Sequence, residues 1–374
     1  MRVAVLSDLH LGTRTRVDLA RRADVRARIV EHVRGFDEVV LLGDAIELRD
    51  RPLAVALNAA EPFLAELGAA LGNGRVVLVP GNHDHRLVRE ARLGAAGRRQ
   101  PATGLAAEIA PGDRGAAGAL RARLGAELLV AYPSWRPAPH VWATHGHYLD
   151  AHSAAPTLEC VLAALTGLAR GRPAMRAHSA ADYEAVLAPT YELYFQIAQR
   201  AALQELADAG KRLVRRVETR LGTRGARPAD AGDARQLGGG RLGTAPGELR
   251  RPGLLPFGLV LERLGVEADH VLFGHTHRTG PLPGDDAARW QGPGGASLWN
   301  TGSWVYEPDY IGTLGSRSPY WPGTVVTIEG SGAPQIHRLL GQGFDGEPSG
   351  LDRPATLRGS DLDRRSDADS DLCT

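Results

Sequence analysis

Five short polar clusters each stand directly behind, or within a residue or two of, a run of apolar residues. Asp8-Leu9-His10 follows Val3–Leu6, Gly43-Asp44-Ala45-Ile46-Glu47 follows Val39–Leu42, and Gly81-Asn82-His83-Asp84 follows Val76–Val79. His145-Gly146-His147 follows Val141–Ala143, and Gly274-His275-Thr276-His277 follows Val271–Phe273. Uninterrupted apolar runs of this length read as strands covered on both faces. Helical patterns over Val17–Val33 and Leu53–Leu71 separate the first three runs, and strand-helix-strand order predicts parallel βαβ units with right-handed crossovers. Further strands are expected at Leu128–Ala131, Ser297–Asn300 and Thr324–Ile328. In open α/β sheets ligands bind beyond the carboxyl ends of the strands. Polar clusters at those ends therefore point to one shared site.

The clusters hold Asp8, His10, Asp44, Asn82, His145, His275 and His277 as candidate metal ligands. On an extended strand residues i and i+2 face one side, so Asp8 with His10 and His275 with His277 are expected to chelate in pairs. Oxygen and imidazole donors without sulfur suit Mn²⁺, Fe or Zn²⁺. Seven donors exceed the needs of one ion and fit two ions sharing a carboxylate. Such a pair clamps the attacking and leaving oxygens of a phosphoryl displacement. Glycines beside the ligands let the backbone turn sharply and approach the ions. Taken singly, each motif is also ordinary turn chemistry. It is their joint, ordered occurrence at strand ends that singles them out.

This ordered set resembles the calcineurin-like metallophosphoesterase superfamily over residues 1–150 and about 256–330. The resemblance implies an α/β fold, a four-layer αββα sandwich of the metallo-dependent phosphatase type. It implies that Asp8, His10 and His277 hold one metal, that Asn82, His145 and His275 hold the other, and that Asp44 bridges. It places His83 over the phosphate as general acid or electrostatic stabiliser, with Glu47 in the position of the carboxylate that orients it. The family's residue there is Asp, so Glu47 is longer by one methylene; the competing reading is an exposed Glu at the start of a loop. The activity implied is hydrolysis of a phosphodiester, pyrophosphate or monoester through a metal-bridged hydroxide. Two divalent ions are implied, Mn²⁺ first, with Fe, Zn²⁺ or Mg²⁺ as alternatives. Arg49 stands two residues after Glu47 rather than directly after the carboxylate, which is unlike the protein Ser/Thr phosphatases.

Within the superfamily, Asp-Leu-His-Leu, Gly-Asp-x-x-Glu and a helical insertion are similar to the UDP-2,3-diacylglucosamine hydrolases, a lipid pyrophosphatase alternative. Those enzymes carry Gly-Asn-Arg-Asp where this chain has Gly-Asn-His-Asp. A nuclease is the next alternative and a non-catalytic scaffold the last, since all seven ligand positions are filled. His85 and His147 flank ligand positions and are read as neighbours of the site. Asn300-Thr301-Gly302-Ser303 is read as a supporting turn.

The remaining segments divide the chain. Residues 1–150 and 256–340 form the two parts of the core. Residues 151–255 are read as a helical cap with a flexible connector from Gly222 to Gly253, in which Pro189 fits the first turn of a helix. This cap is expected to set specificity. It carries a basic stretch from Lys211 to Arg227 and an apolar stripe through Leu158, Val161, Leu162, Leu165 and Leu168. Residues 341–374 are expected to be a disordered tail.

Composition narrows the partners. The 44 basic and 43 acidic residues cancel, which gives no overall attraction to nucleic acid. A nucleic-acid substrate is therefore disfavoured against a small-molecule or lipid-linked phosphoester. No apolar run reaches the roughly 18 residues of a membrane span, and Val3–Leu6 is too short for a signal peptide; peripheral membrane contact stays open. Two cysteines rule out a disulfide scaffold, and a cytoplasmic location is expected.

Overall fold

The computed structural model of the protein describes residues 1–88, 105–109, 115–152, 177–200, 254–341 and 344. The basic stretch, the apolar stripe, the connector and, apart from Gly341 and Phe344, the tail lie outside these residues.

Twelve strands are present among the described residues, and they form two sheets. The first runs β12 (Gln335–Arg338), β11 (Thr324–Glu329), β1 (Arg2–Leu6), β2 (Glu38–Leu41), β3 (Arg75–Leu78), β5 (Glu127–Tyr132) and β4 (Ala107–Ile109). Its centre, from β1 through β2 and β3 to β5, is parallel. The second runs β6 (Ser134–Ala138), β7 (Val141–Thr144), β8 (His270–Phe273), β10 (Ser297–Thr301) and β9 (Thr279–Gly280), with β7, β8 and β10 parallel.

Period-two alternation explains how the strands stack into layers. On β1, Val3 and Val5 join Val40, Val77, Val141 and Leu272 in a core between the two sheets. Ala4 and Leu6 face the other way, where they pack with helices α1 (Ala23–Val33), α2 (Leu53–Leu71) and α3 (Gly115–Leu124). Beyond the second sheet, Trp142, Val271 and Phe273 pack against α5 (Leu254–Leu264), with the Phe257 and Phe273 rings stacked at 4.2 Å. Helices, sheet, sheet and helix give the four layers expected. Each fully buried Val, Leu or Phe contributes roughly 1.5–3 kcal/mol relative to exposure, so the sandwich is a rigid mount for whatever leaves its strand ends.

Helix α2 has the length and apolar composition of a membrane span, with a mean hydropathy of 1.2. Its Ala56, Ala60, Phe63, Leu64 and Leu67 are instead buried in the core under β2 and β3. Helix α4 (Ala180–Ala198) is the described part of the 151–255 segment. Its N-cap is Ser179, whose hydroxyl accepts from the Asp182 N–H at 3.2 Å, and Pro189 lies in the helix interior. The first-turn reading of Pro189 is therefore corrected: the Ser179–Asp182 cap starts the helix ten residues earlier. The interior proline costs one backbone hydrogen bond, and the buried face of Tyr183, Val186, Leu187 and Tyr191 offsets this.

Candidate metal centre

Asp8 and His10 leave the end of β1, Asp44 the end of β2, Asn82 and His83 the end of β3, His145 the end of β7, and His275 and His277 the end of β8. The sandwich thus delivers every candidate ligand to one shared edge of its two sheets. Asp8, His10, Asp44, His275 and His277 all have positive φ, between 45° and 68°. The extended-strand pairing is thereby corrected. Both i, i+2 pairs lie past their strands in left-handed turns, and the turns rather than the pleat aim the side chains. A non-glycine residue held there is uncommon. Five such residues in one cluster mark strain kept for a purpose, stabilised by bonds such as His10 N–H to Asp44 O at 2.8 Å and Trp304 N–H to Asp8 O at 3.0 Å.

The imidazoles are oriented from outside. His10 Nδ1 lies 3.1 Å from Glu47 Oε2, His277 Nδ1 is 2.8 Å from Glu307 Oε2, and His275 Nε2 is 2.8 Å from Asp150 Oδ1. His145 Nδ1 is 3.0 Å from Leu42 O. A backbone carbonyl or a carboxylate can only accept, so the named nitrogen carries the proton. The opposite nitrogen presents a lone pair to the cluster, as in metal-ligating histidines.

Those lone pairs converge. His10 Nε2 is 3.2 Å from His277 Nε2, and His277 Nε2 is 3.4 Å from Asp8 Oδ1, a buried oxygen with no hydrogen-bond partner. His145 Nε2 is 3.1 Å from Asp44 Oδ2, which also lies 3.8 Å from His10 Nε2. The Asn82 amide atom facing the site is 3.2 Å from Asp44 Oδ2, His145 Nε2 and His275 Nδ1. As an oxygen it meets three lone pairs, which suits a cation among them. With the amide turned over, its nitrogen would donate to the same atoms and its oxygen would accept from Arg49 Nη1 at 3.2 Å.

Two donor groups result, Asp8–His10–His277 and Asp44–His145–His275, with Asp44 also grouped with His10 and His83. A cluster of lone pairs with no intervening donor fits cations, and the oxygen and nitrogen set fits Mn²⁺, Fe or Zn²⁺. This matches the partition that the family resemblance implies, with Asn82 beside the second group.

The carboxylates are held charged. Burial pushes Asp44 and Asp8 upward, yet positive charge on the surrounding imidazoles, His145 foremost, leaves both below the ordinary carboxylate range. Burial pushes His145 down, but the same carboxylates in turn raise it to about 9. A bound cation would supply that positive charge in place of the imidazole protons. Asp84 locks the ligand loops together by accepting from the N–H groups of Gly81 at 2.6 Å, Ala45 at 2.8 Å and Asp44 at 3.3 Å. Burial, followed by the nearby Asp44 charge, pushes Asp84 up to about 6. Gly81 lies so close that a Cβ there would collide with Asp44 Oδ1 and the His145 ring. Gly81→Ala should weaken metal binding by about 10- to 100-fold, the scale of lost ligand support; a metal titration followed by calorimetry checks this.

Glu47 is buried, with its Oε2 2.7 Å from His83 Nδ1. The extra methylene spans the gap, and the exposed-loop reading does not describe it. Burial raises Glu47, but the His83 and His10 rings more than reverse this and keep it ionised. The His83 peptide N–H donates to Asp44 Oδ1 at 2.8 Å. On its other side His83 Nε2 faces Arg49 Nη1 at 3.1 Å, and the Arg49 guanidinium lies 4.3 Å over the Tyr194 ring.

All nine sequence-predicted residues therefore meet in one cluster. Asp84 stands in the Gly-Asn-His-Asp cluster, which assigns it no role, whereas Asp150, Glu307 and Tyr194 stand in no recognisable motif and are brought in by contact across the fold alone. Asn300 supports the site as read, with Nδ2 donating to Thr276 Oγ1 at 2.7 Å and Oδ1 accepting from Gly302 N–H at 3.1 Å. Ser7 Oγ lies 2.6 Å from Thr301 Oγ1 beside it.

Comparison with known proteins gives the class. The family described as calcineurin-like phosphoesterase matches residues 1–158. That part of the chain is similar to the calcineurin-like phosphoesterases, a class of metal-dependent hydrolases of phosphoric esters. Among solved structures the chain is similar to a dimetal phosphatase from Danio rerio, at 14% identity, over 90% of this chain and 98% of that one, with a TM-score of 0.36. No curated protein matches.

Proposed function

We propose that the chain hydrolyses a phosphodiester, pyrophosphate or phosphomonoester with two divalent ions, Mn²⁺ first, held by Asp8, His10 and His277 and by Asn82, His145 and His275 about a shared Asp44. The observation that carries this reading is the convergence of imidazole and carboxylate lone pairs into two groups around Asp44 Oδ2. When bound, two such ions polarise phosphoryl oxygens and supply a nucleophile from water near neutral pH.

The chain's own residues do the rest. His10, His145, His275 and His277 are kept in one tautomer by Glu47, Leu42 O, Asp150 and Glu307, so their ligand atoms need no reorganisation. His83 holds its Nδ1 proton toward Glu47 and offers Nε2 to the reacting group. At rest Nε2 accepts from Arg49. Burial first, with Arg49 assisting and Glu47 opposing, keeps His83 below the ordinary imidazole value. A substrate phosphate that draws Arg49 away frees Nε2 to take up a proton from solvent. The Glu47 carboxylate stabilises the imidazolium so formed, which then gives up that proton from Nε2 to the leaving-group oxygen.

The test is turnover of chromogenic phosphodiesters and monoesters with Mn²⁺. Hydrolysis that is lost on chelation and restored by Mn²⁺ is expected; no turnover of any phosphoester with any divalent metal contradicts the reading.

A further inference from the structure

Helix α4 is bonded along its length to residues that neighbour the metal centre in the chain or in space. Its Glu184 accepts from Tyr148 OH at 2.7 Å, from Tyr132 OH, and from His85 Nε2 at 2.9 Å. Two turns further on, Glu192 accepts from Arg86 Nη1 at 3.2 Å, and Tyr194 underlies Arg49. Past the helix end, Gln199 Oε1 accepts from the Leu53 N–H at 3.1 Å. A carboxylate with three donors in a mostly buried setting is a strong fastening.

Among these anchors Tyr191 is different. It is 5% exposed, its ring packs 5.3 Å from His85 and 5.6 Å from His147, and its hydroxyl has no hydrogen-bond partner among the described residues. A buried hydroxyl without a partner costs about 1–3 kcal/mol, so its presence asks for a ligand. Asp150, Glu184, Tyr148 and Arg49 lie within electrostatic reach of it. Asp150 is bonded to His275, and Arg49 to His83. The two residues bonded to His275 and His83 are thus both within electrostatic reach of the hydroxyl, and the Tyr191 ring packs on His147, two residues from the ligand His145. The metal centre itself reaches solvent, since the side chains of His275, Asp150 and His83 are 15%, 16% and 23% exposed. Burial first, and then the Asp150 and Glu184 carboxylates, hold the phenol well above its ordinary value. It stays a neutral donor through the working range of a hydrolase.

We propose that Tyr191 is a substrate-binding residue whose hydroxyl donates a hydrogen bond to a phosphoryl oxygen of the substrate at the metal centre. Helix α4 thereby supplies part of the site itself, and Glu184 acts as the positioning residue that sets the helix at the right height. The inference rests on the hydrolase reading above and deepens it. An uncharged donor is suited here, because the neighbouring carboxylates would compete with the phosphate for a cation.

Tyr191→Phe separates this role from packing, because it keeps the ring and removes only the orphan hydroxyl. With Mn²⁺ supplied, the expected results are a kcat/KM about tenfold lower and inorganic phosphate binding, measured by calorimetry, about tenfold weaker, the scale of one lost hydrogen bond. Metal content should be unchanged, and the melting temperature equal to or above that of the wild type, since an unsatisfied polar group has been removed. Glu184→Gln, which keeps the shape and weakens the fastening, should lower the melting temperature as well as phosphate affinity. An active wild type with equal kcat/KM and equal phosphate affinity in Tyr191→Phe overturns the role of Tyr191 and leaves the hydrolase reading standing. A wild type that turns over no phosphoester overturns the hydrolase reading, and this inference with it.

Discussion

Asp44→Asn is expected to abolish phosphoester hydrolysis in a protein that still folds. Asp44 is 2% exposed, its Oδ2 lies 3.1 Å from His145 and 3.8 Å from His10, and it is grouped with His145 and His275 on one side and with His10 and His83 on the other. Asparagine keeps the shape and an oxygen to accept from the His83 N–H, a bond of 2.8 Å made by Oδ1. What it removes is the negative charge between two sets of ligands. Bound ions supply several kcal/mol of charge stabilisation, and about 4 kcal/mol corresponds to roughly 10³-fold in rate. A loss of about 10³-fold or more in kcat, with circular dichroism and melting close to wild type, is the expected outcome. A variant with rate within threefold of wild type would remove Asp44 from the mechanism.

His83→Ala is expected to cost about 10²- to 10⁴-fold in kcat, the range for a positioned general acid. The ring is aimed by two bonds, Nδ1 to Glu47 and the peptide N–H to Asp44. It belongs with Asp44 and His10 as a donor group, so metal content has to be measured beside the rate. Unchanged metal content with a large fall in kcat identifies proton transfer or charge stabilisation; parallel loss of both identifies a ligand. Glu47→Gln should cost less, about 10- to 100-fold, because it orients His83 and His10 without reaching the substrate. The double variant should be little worse than His83→Ala alone, as residues acting as a unit are not additive. Additive losses would mean that Glu47 acts independently.

Much of this site was legible in the chain because each ligand stands next to a strand whose apolar run is unmistakable. Val3–Leu6, Val39–Leu42 and Val76–Val79 are buried on both faces, so their ends could be found within a residue and the clusters behind them assigned to one edge. Short edge strands left no such signal. Ser134–Ala138 contains Arg136 and Pro137, Thr279–Gly280 is two residues long, and Gln335–Arg338 is half exposed.

The supporting carboxylates were hidden for a different reason. Asp150 sits in a short 3-10 helix after β7 and Glu307 before a short helical turn. Only the packing of one loop on another brings them to His275 and His277. The same is true of Tyr191 and Tyr194, which in the chain are two aromatics in a helical stripe and look like core. The chelating pairs were found by a strand argument, whereas left-handed turns do the aiming. Spacing of two places side chains together in both geometries, so the residues were right and the conformation was not.

The measurement that bears most directly on the central claim is elemental analysis of the purified protein after saturation with Mn²⁺ and removal of free metal, made on wild type and Asp44→Asn. Two ions per chain in the wild type, with a clear fall in the variant, is the predicted result. One ion or none per wild-type chain under saturating conditions contradicts a shared two-ion centre.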